Sequence, residues 1–278
     1  MNIHRALPIA LVAALATFGD ALPAQAAANR APADDAGWRT VLSETQLAET
    51  FRGRHLMSVH FLTRHAGWAV GEGAAGMTRI FRTADGGRTW ERIPLFDGES
   101  HGVDLNGVQF ADANHGWITG RNHLLRTTDG GESWEPVEWG ATIGMGLAAR
   151  TLLVLGPDAV MIGCDNGGIR VTTDGGRTWR LTYVNHGRVD ERVVELRLVP
   201  PSTFFAVTNG GGQPVPSGVY RSEDGGATWE KLLEERKRLH SIDFVDGERG
   251  VVVGHGVAYT TTDGGATWRK TVVAGERH

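Results

Sequence analysis

The stretch Thr127 to Trp134 of this 278-residue chain reads TTDGGESW and indicates its fold. It is one of five copies of the pattern Ser/Thr-x-Asp-Gly-Gly-x-Ser/Thr-Trp, called the Asp box below. Successive copies lie about 40 to 50 residues apart, which is the length of one four-stranded blade of a β-propeller. The five aspartates are Asp85, Asp129, Asp174, Asp224 and Asp263, and the five tryptophans are Trp90, Trp134, Trp179, Trp229 and Trp268.

The residue types of the Asp box favour a structural role. An aspartate side chain accepts hydrogen bonds from backbone N–H groups across a tight turn, and a Ser or Thr hydroxyl group supports the same turn. The two glycines allow positive φ where the hairpin reverses, and the Trp ring then packs between blades. A calcium loop is the alternative, but the motif lacks the further spaced carboxylates and the distal Glu of such loops. We therefore predict that each box joins the third and fourth strands of a blade.

The segments between the boxes alternate apolar and polar residues as strands do. In the second repeat, Leu105 to Phe110, Gly116 to Gly120 and His123 to Thr127 are the first three predicted strands, and the fourth follows the box. Five such units predict an all-β propeller with five blades of four antiparallel strands. Six blades are the alternative, because Trp38 to Leu42 resembles a fourth strand that no box precedes. We place a single propeller domain at residues 38–278.

The first 26 residues are predicted to be a secretory signal peptide. Arg5 ends a short basic region, and Ala6 to Phe18 form an apolar core that is too short to span a membrane. Ala24-Gln25-Ala26 supplies a small-x-small cleavage site, and residues 27–37 are predicted to be a flexible segment. We expect the mature chain to be soluble in the periplasm or secreted, with no membrane insertion after removal of the signal.

The composition argues against several classes of function. A net charge of −4 and a pI of about 6.3 give no indication of nucleic acid binding. Cys164 is the only cysteine, so no intrachain disulfide can form, and its place at the end of an apolar strand predicts a buried thiol. The eleven histidines show no metal-binding spacing, and the sequence predicts no metal ion and no cofactor. It indicates no particular oligomeric state.

The unit GVQFADANHGWITGRNHLLRTTDGGESW, Gly107 to Trp134, carries a family resemblance. Its Gly-Trp-x-x-Gly strand, short turn and Arg-Thr-Thr-Asp-Gly-Gly run resemble the photosystem II stability/assembly factor family of BNR (Asp-box) repeat propellers. The resemblance covers roughly residues 38–270, although the Gly-Trp pair occurs only at Gly67-Trp68 and Gly116-Trp117. It implies an exported propeller that aids the assembly of a membrane protein complex through protein contacts.

A sialidase-like glycoside hydrolase is the enzymatic alternative, because such enzymes also contain Asp boxes. This chemistry needs a Tyr nucleophile with a partnering Glu, an acid and three arginines that hold the substrate carboxylate. Tyr220 and Tyr259 both lie four residues before a box aspartate, which is a framework position, and Tyr183 lies in a predicted fourth strand. No convincing Tyr/Glu pair emerges, so we predict no catalytic residues and no enzyme. A carbohydrate-binding, lectin-like propeller is the second alternative, with Trp139 as its main candidate for an exposed aromatic ring.

Alternating strand directions place the connections of each blade at two ends. The Asp boxes share one end with the turns between first and second strands, and the opposite end carries longer, more variable connections, where binding sites are frequent. Arginines there bind carboxylates through charge-assisted hydrogen bonds, so we predict a protein partner with an acidic segment, which the resemblance extends to a membrane protein complex. Solvated loops with local Glu/Arg pairing are the alternative. The candidate partner-binding residues are Arg121, His123, Arg188, Arg192, Arg236 and Arg238.

Overall fold

The structure is a computed structural model that describes residues 55–74, 77–95, 104–140, 148–184, 191–210 and 215–271. Within these residues the chain forms five sheets of four strands, and in each sheet every strand is hydrogen-bonded to its neighbours in sequence. The described part of the chain contains no helix that is long and apolar enough to cross a membrane.

Each sheet is one blade, and the blades follow one another along the chain. The first blade consists of β1 (Leu56–Phe61), β2 (Gly67–Ala74), β3 (Met77–Thr83) and β4 (Glu91–Ile93). The second consists of β5 (Leu105–Phe110), β6 (Gly116–Gly120), β7 (Leu124–Thr127) and β8 (Glu135–Pro136). The third consists of β9 (Ala149–Gly156), β10 (Ala159–Cys164), β11 (Gly168–Thr172) and β12 (Arg180–Tyr183). The fourth consists of β13 (Glu191–Val199), β14 (Thr203–Gly210), β15 (Ser217–Ser222) and β16 (Glu230–Glu235). The fifth consists of β17 (Leu239–Phe244), β18 (Gly250–Gly254), β19 (Val257–Thr261) and β20 (Arg269–Thr271).

The predicted fold class, an all-β propeller with five four-stranded antiparallel blades, is confirmed. The predicted extra strand at Trp38 to Leu42, the signal peptide and the segment 27–37 lie outside the described residues and stay predictions. The described residues divide into two compact units, one with residues 55–160 and 174–177 and the other with residues 161–173 and 178–271. The division passes through the third blade.

The Asp box forms the hydrogen-bonded turn that its residue types predict. In the second blade, Thr127 Oγ1 donates to Asp129 Oδ1 at 2.6 Å, and the Gly131 N–H donates to Thr127 Oγ1 at 2.9 Å. Ser133 donates its backbone N–H and its hydroxyl group to the same carboxylate, at 3.0 and 2.6 Å. Burial raises the pKa of Asp129, but the hydrogen bonds from Ser133 and Thr127 outweigh it and hold the pKa at about 2. The same turn recurs around Asp85, Asp224 and Asp263.

In the first, second, third and fifth blades, the Asp box is also bonded to the first turn of its own blade. The Gly86 N–H donates to His65 O at 2.9 Å in the first blade, and the Gly130 N–H donates to Asn114 O at 2.9 Å in the second. The Gly264 N–H donates to Glu248 O at 2.8 Å in the fifth. Boxes and first turns therefore share one end of a blade, and the other two kinds of connection lie at the opposite end.

The core lies between neighbouring blades, and the Gly-Trp pair of the first blade contributes to it directly. Trp68 is 3% exposed and stacks on Phe110 of the second blade, with ring centroids 3.6 Å apart and planes 16° apart. Its indole N–H donates to Gly130 O at 3.2 Å, inside the Asp box of that next blade. The tryptophan thus joins one blade to the turn of the following blade.

Other residues occupy the position of Trp68 in the third and fourth blades. A Cβ added to Gly226 would lie 2.9 Å from Met161 Cε, and one added to Gly265 would lie 3.0 Å from Phe205 Cε1. Met161 and Phe205 therefore pack against the second glycine of the next box, as Trp68 does against Gly131, where an added Cβ would lie 2.8 Å from its Nε1. The repeat preserves a contact at this position, although the residue type changes.

Candidate functional site

The end of the blades opposite the Asp boxes contains a cleft that brings two of the predicted residues together. Arg236 and Arg238 lie in the turn that joins β16 to β17, between the fourth and fifth blades. The cleft has a volume of about 390 Å³, and we call it the cationic cleft. It is lined by Gly210, Val215, Ser217, Arg236, Lys237, Arg238 and His255.

Strand ends of two blades converge on the cationic cleft. In the fourth blade, β14 ends at Gly210, β15 begins at Ser217 and β16 ends one residue before Arg236. In the fifth blade, His255 follows the last residue of β18. The residues that line the cleft therefore lie at the ends of paired strands or next to them, and the paired strands hold them in place.

Hydrogen bonds fix the backbone of the turn that carries the arginines. The His255 N–H donates to Arg238 O at 2.8 Å, and the Leu239 N–H donates to Ser217 Oγ at 3.2 Å. Lys237 Nζ donates to Gly256 O at 3.4 Å. The turn is thus attached both to its own blade and to the next one.

The two cleft arginines are not paired with any acidic residue in the described part of the chain. Both side chains are exposed, and no carboxylate oxygen of the described residues lies within 4.0 Å of either guanidinium group. A guanidinium group offers five N–H donors in a planar fork that matches a carboxylate. These two guanidinium groups can therefore bind anionic groups without first breaking an ion pair to a described residue.

The other predicted residues lie elsewhere. Arg192 Nε is 3.4 Å from Asp165 Oδ1, so this side chain already has an acidic partner within the chain and does not line the cleft. Arg121 and His123 are exposed in the turn between β6 and β7. Arg188 lies outside the described residues. Partner binding by all six residues stays a prediction.

A hydrogen-bonded Tyr–Glu pair that the sequence did not reveal lies in the fourth blade. The Tyr220 hydroxyl group donates to Glu191 Oε1 at 2.8 Å, and the Thr208 hydroxyl group donates to the same oxygen at 2.5 Å. Tyr220 is 1% exposed and Glu191 is 3% exposed. Burial, and then the hydrogen bond to Glu191, raise the pKa of Tyr220. This hydroxyl group is therefore neither accessible nor activated as a nucleophile.

A second Tyr–Glu pair joins the fifth blade to the fourth. The Tyr259 hydroxyl group donates to Glu235 Oε2, and Lys270 Nζ donates to the same oxygen at 2.9 Å. Tyr259 is 7% exposed, and burial, followed by the hydrogen bond to Glu235, raises the pKa of its phenol. The framework position predicted for both tyrosines agrees with their burial.

Two further sequence interpretations can be compared with the described residues. Trp139 is 3% exposed, so the expectation that its ring is available to stack on a sugar is wrong. Cys164 is buried as predicted, and burial raises the pKa of its thiol to about 12. No group of three or more His, Cys, Asp or Glu side chains in the described ranges could hold a metal ion.

Comparison with known proteins identifies the family. The family described as "Photosynthesis system II assembly factor YCF48" matches residues 33–212, which is more than half of the chain. The chain belongs to this family. The resemblance seen in the Gly-Trp strands and Asp boxes is thereby confirmed. No match occurs among curated proteins.

Solved structures show the fold of this YCF48-family chain at low identity. "YCF48 bound to D1 peptide" is 23% identical, with coverage of 79% of this chain and 82% of that one and a TM-score of 0.56. The GH74 enzyme of Niastella koreensis is 17% identical, with 80% and 38% coverage and a TM-score of 0.60. The WD40 propeller domain of Doa1 is 12% identical, with 78% and 69% coverage and a TM-score of 0.53. These similarities support the propeller fold and carry no residue roles.

Proposed function

We propose that this YCF48-family chain is an exported scaffold that binds an acidic segment of a protein partner in its cationic cleft. Through this contact it aids the assembly or stability of a membrane-associated complex. The observation that carries the proposal is the pair of exposed arginines, Arg236 and Arg238, in a formed cleft with no acidic partner among the described residues. A family member bound to a D1 peptide supports a peptide as the ligand. The predicted signal peptide supports export.

The chemistry of the cleft favours a carboxylate-rich segment. Arginine forks form bidentate, charge-assisted hydrogen bonds with carboxylates, and these bonds are stronger than neutral ones. Each exposed ion pair contributes only about 0–1 kcal/mol, so affinity requires several pairs at once together with apolar contact, for which Val215 is placed. Because exposed charges are screened by salt, binding should weaken as ionic strength rises.

The proposal includes no catalytic step. A glycoside hydrolase of the sialidase type needs a tyrosine hydroxyl group that can reach the substrate. Tyr220 and Tyr259 are buried, and their hydroxyl groups donate to Glu191 and Glu235. A raised pKa for both phenols also opposes nucleophilic attack. We therefore assign both Tyr–Glu pairs to the framework.

Affinity purification from the native cell envelope tests the proposal. The wild-type chain should co-purify a membrane-associated protein that mass spectrometry identifies, and the double variant Arg236→Glu/Arg238→Glu should lose it. Charge reversal places carboxylates where the partner's carboxylates bind, so repulsion replaces attraction. The thermal unfolding temperature should not change, because both side chains are exposed and without ion pairs among the described residues.

The matched control is Arg64→Glu/Arg269→Glu, which changes the net charge by the same amount. Arg64 lies in the first turn of the first blade and Arg269 in β20, both exposed and outside the cleft. The control variant should retain the partner. Equal recovery of the partner by the cleft variant and the wild type would contradict the proposal.

A further inference from the structure

Glu235 is placed to control the geometry of the cationic turn, Arg236 to Arg238. It is the last residue of β16, and its side chain is only 10% exposed although three cations follow it. A carboxylate so well covered normally needs several donors to offset its loss of hydration. Glu235 has them on both of its oxygens.

The contacts of Glu235 join three separate pieces of backbone. Its Oε1 accepts the backbone N–H of Lys237 at 3.0 Å, in the middle of the cationic turn. Its Oε2 accepts the hydroxyl group of Tyr259 on β19 and Nζ of Lys270 on β20. One carboxylate therefore bonds the turn at the end of the fourth blade to two strands of the fifth.

The charge state of Glu235 suits this role. Burial raises the pKa of its carboxyl group, but the hydrogen bonds from Tyr259, Lys237 and Lys270 outweigh it and hold the pKa at about 2. The group is thus ionised at neutral pH and keeps its full capacity as an acceptor. Lys270, whose ammonium group lies 5.4 Å from the centre of the Tyr259 ring, offsets the negative charge.

We propose that Glu235 is a positioning residue that holds the cationic turn in the conformation that binds an acidic partner. The proposal rests on the function proposed above, because it concerns the same cleft. A turn fixed before binding loses less conformational entropy when the partner arrives, so preorganisation increases affinity. Glu235 acts through the backbone of Lys237 and touches no ligand.

Positioning and simple electrostatics predict opposite results for Glu235→Gln. The substitution removes a negative charge beside three cations, so Coulomb attraction alone would make an acidic ligand bind more tightly. The positioning role predicts weaker binding, because the neutral amide is a poorer acceptor and loses its ion pair with Lys270. The sign of the change therefore separates the two explanations.

Glu234→Gln is the matched control, since it makes the same change in charge one residue earlier. The Glu234 side chain is 59% exposed and its carboxylate pairs with Lys231 at 3.1 Å. Tyr259→Phe is the second test variant, because it removes one donor to Glu235 without changing any charge. The two test variants, Glu235→Gln and Tyr259→Phe, loosen the turn without altering Arg236 or Arg238.

Fluorescence anisotropy with a labelled octa-glutamate peptide on the full chain is the measurement. We expect Glu235→Gln and Tyr259→Phe to weaken binding about fivefold, and Glu234→Gln to leave it unchanged or tighter. Hydrogen–deuterium exchange should become faster in the cationic turn of both test variants and stay unchanged in β18. If Glu235→Gln fails to fold, Tyr259→Phe decides the question alone.

The outcomes separate this inference from the function on which it rests. If the wild-type chain does not bind the peptide, or if Arg236→Glu/Arg238→Glu binds it equally well, the proposed function is wrong. If the wild-type chain binds through the two arginines but the foldable test variants bind as tightly or more tightly, only the positioning role is overturned.

Discussion

Replacing Trp68 with alanine is expected to lower the free energy of unfolding by about 3–5 kcal/mol. The indole ring is buried, stacks on Phe110 at 3.6 Å between centroids and donates its N–H to Gly130 O. Its removal leaves a cavity between the first and second blades and an unbonded carbonyl group in the next Asp box. Urea denaturation followed by circular dichroism, with the unfolding slope compared between variants, measures the change.

Trp68→Phe provides the control for this prediction. A phenylalanine ring keeps much of the stacking on Phe110 but cannot donate to Gly130 O, so the expected loss is smaller, about 1 kcal/mol for the hydrogen bond. A loss below about 1 kcal/mol for Trp68→Ala would contradict the role of this residue as a contact between blades.

The second large effect is expected for Gly131→Ala, in the Asp box of the second blade. Gly131 has a φ of 84°, and an added Cβ would lie 2.8 Å from Trp68 Nε1 and 3.3 Å from Trp134 Cζ2. The left-handed backbone costs about 1–2 kcal/mol for an L residue, and overpacking adds about 1–3 kcal/mol. We expect a total loss of about 3 kcal/mol in the free energy of unfolding.

Gly247→Ala is the matched control within the same protein. An added Cβ at Gly247 would have no neighbour within 4 Å, and its backbone is outside the left-handed region. Its effect should stay within about 0.5 kcal/mol in the same urea titration. Similar losses for the two variants would show that the box glycine is not constrained as described.

The fold was predictable because the sequence contains five copies of the same turn motif with strand patterns between them. The predicted first strand of the second repeat, Leu105 to Phe110, has the bounds observed for β5, and the box turns lie between third and fourth strands. These features depend on residues within a few positions of one another. Periodicity, turn glycines and hydroxyl-to-aspartate spacing are therefore sufficient to place them.

Contacts between blades were not predictable in the same way. Trp68 and Gly130 are 62 residues apart, and Met161 and Phe205 replace the tryptophan at the equivalent position of later blades. Because the residue type at this position differs between blades, no repeated sequence pattern indicates the contact. The structure shows that these three different side chains pack against the same glycine of the next Asp box.

The candidate site was partly predictable. Strand direction predicts which connections share an end of a blade. The connection that contains Arg236 and Arg238 was assigned to the end opposite the Asp boxes in this way. The cleft is also lined by His255 from another blade, which no sequence pattern indicated. The Glu235 carboxylate bonds the backbone of the turn, and its only signal in the sequence was its place before three cations. Arg192 was predicted to bind a partner. Its side chain is exposed but lies 3.4 Å from Asp165 of the preceding blade, and a contact between blades of this kind has no signal in the sequence.

Site-specific photo-crosslinking shows whether the partner binds in the cationic cleft. A benzophenone amino acid in place of His255 lies at the cleft, and one in place of Ala266 lies in the Asp box at the other end of the same blade. Irradiation of the native cell envelope should join the partner to the His255 position and not to the Ala266 position. Crosslinking of the same partner at Ala266 and none at His255 would show that the partner binds at the Asp-box end and not in the cleft.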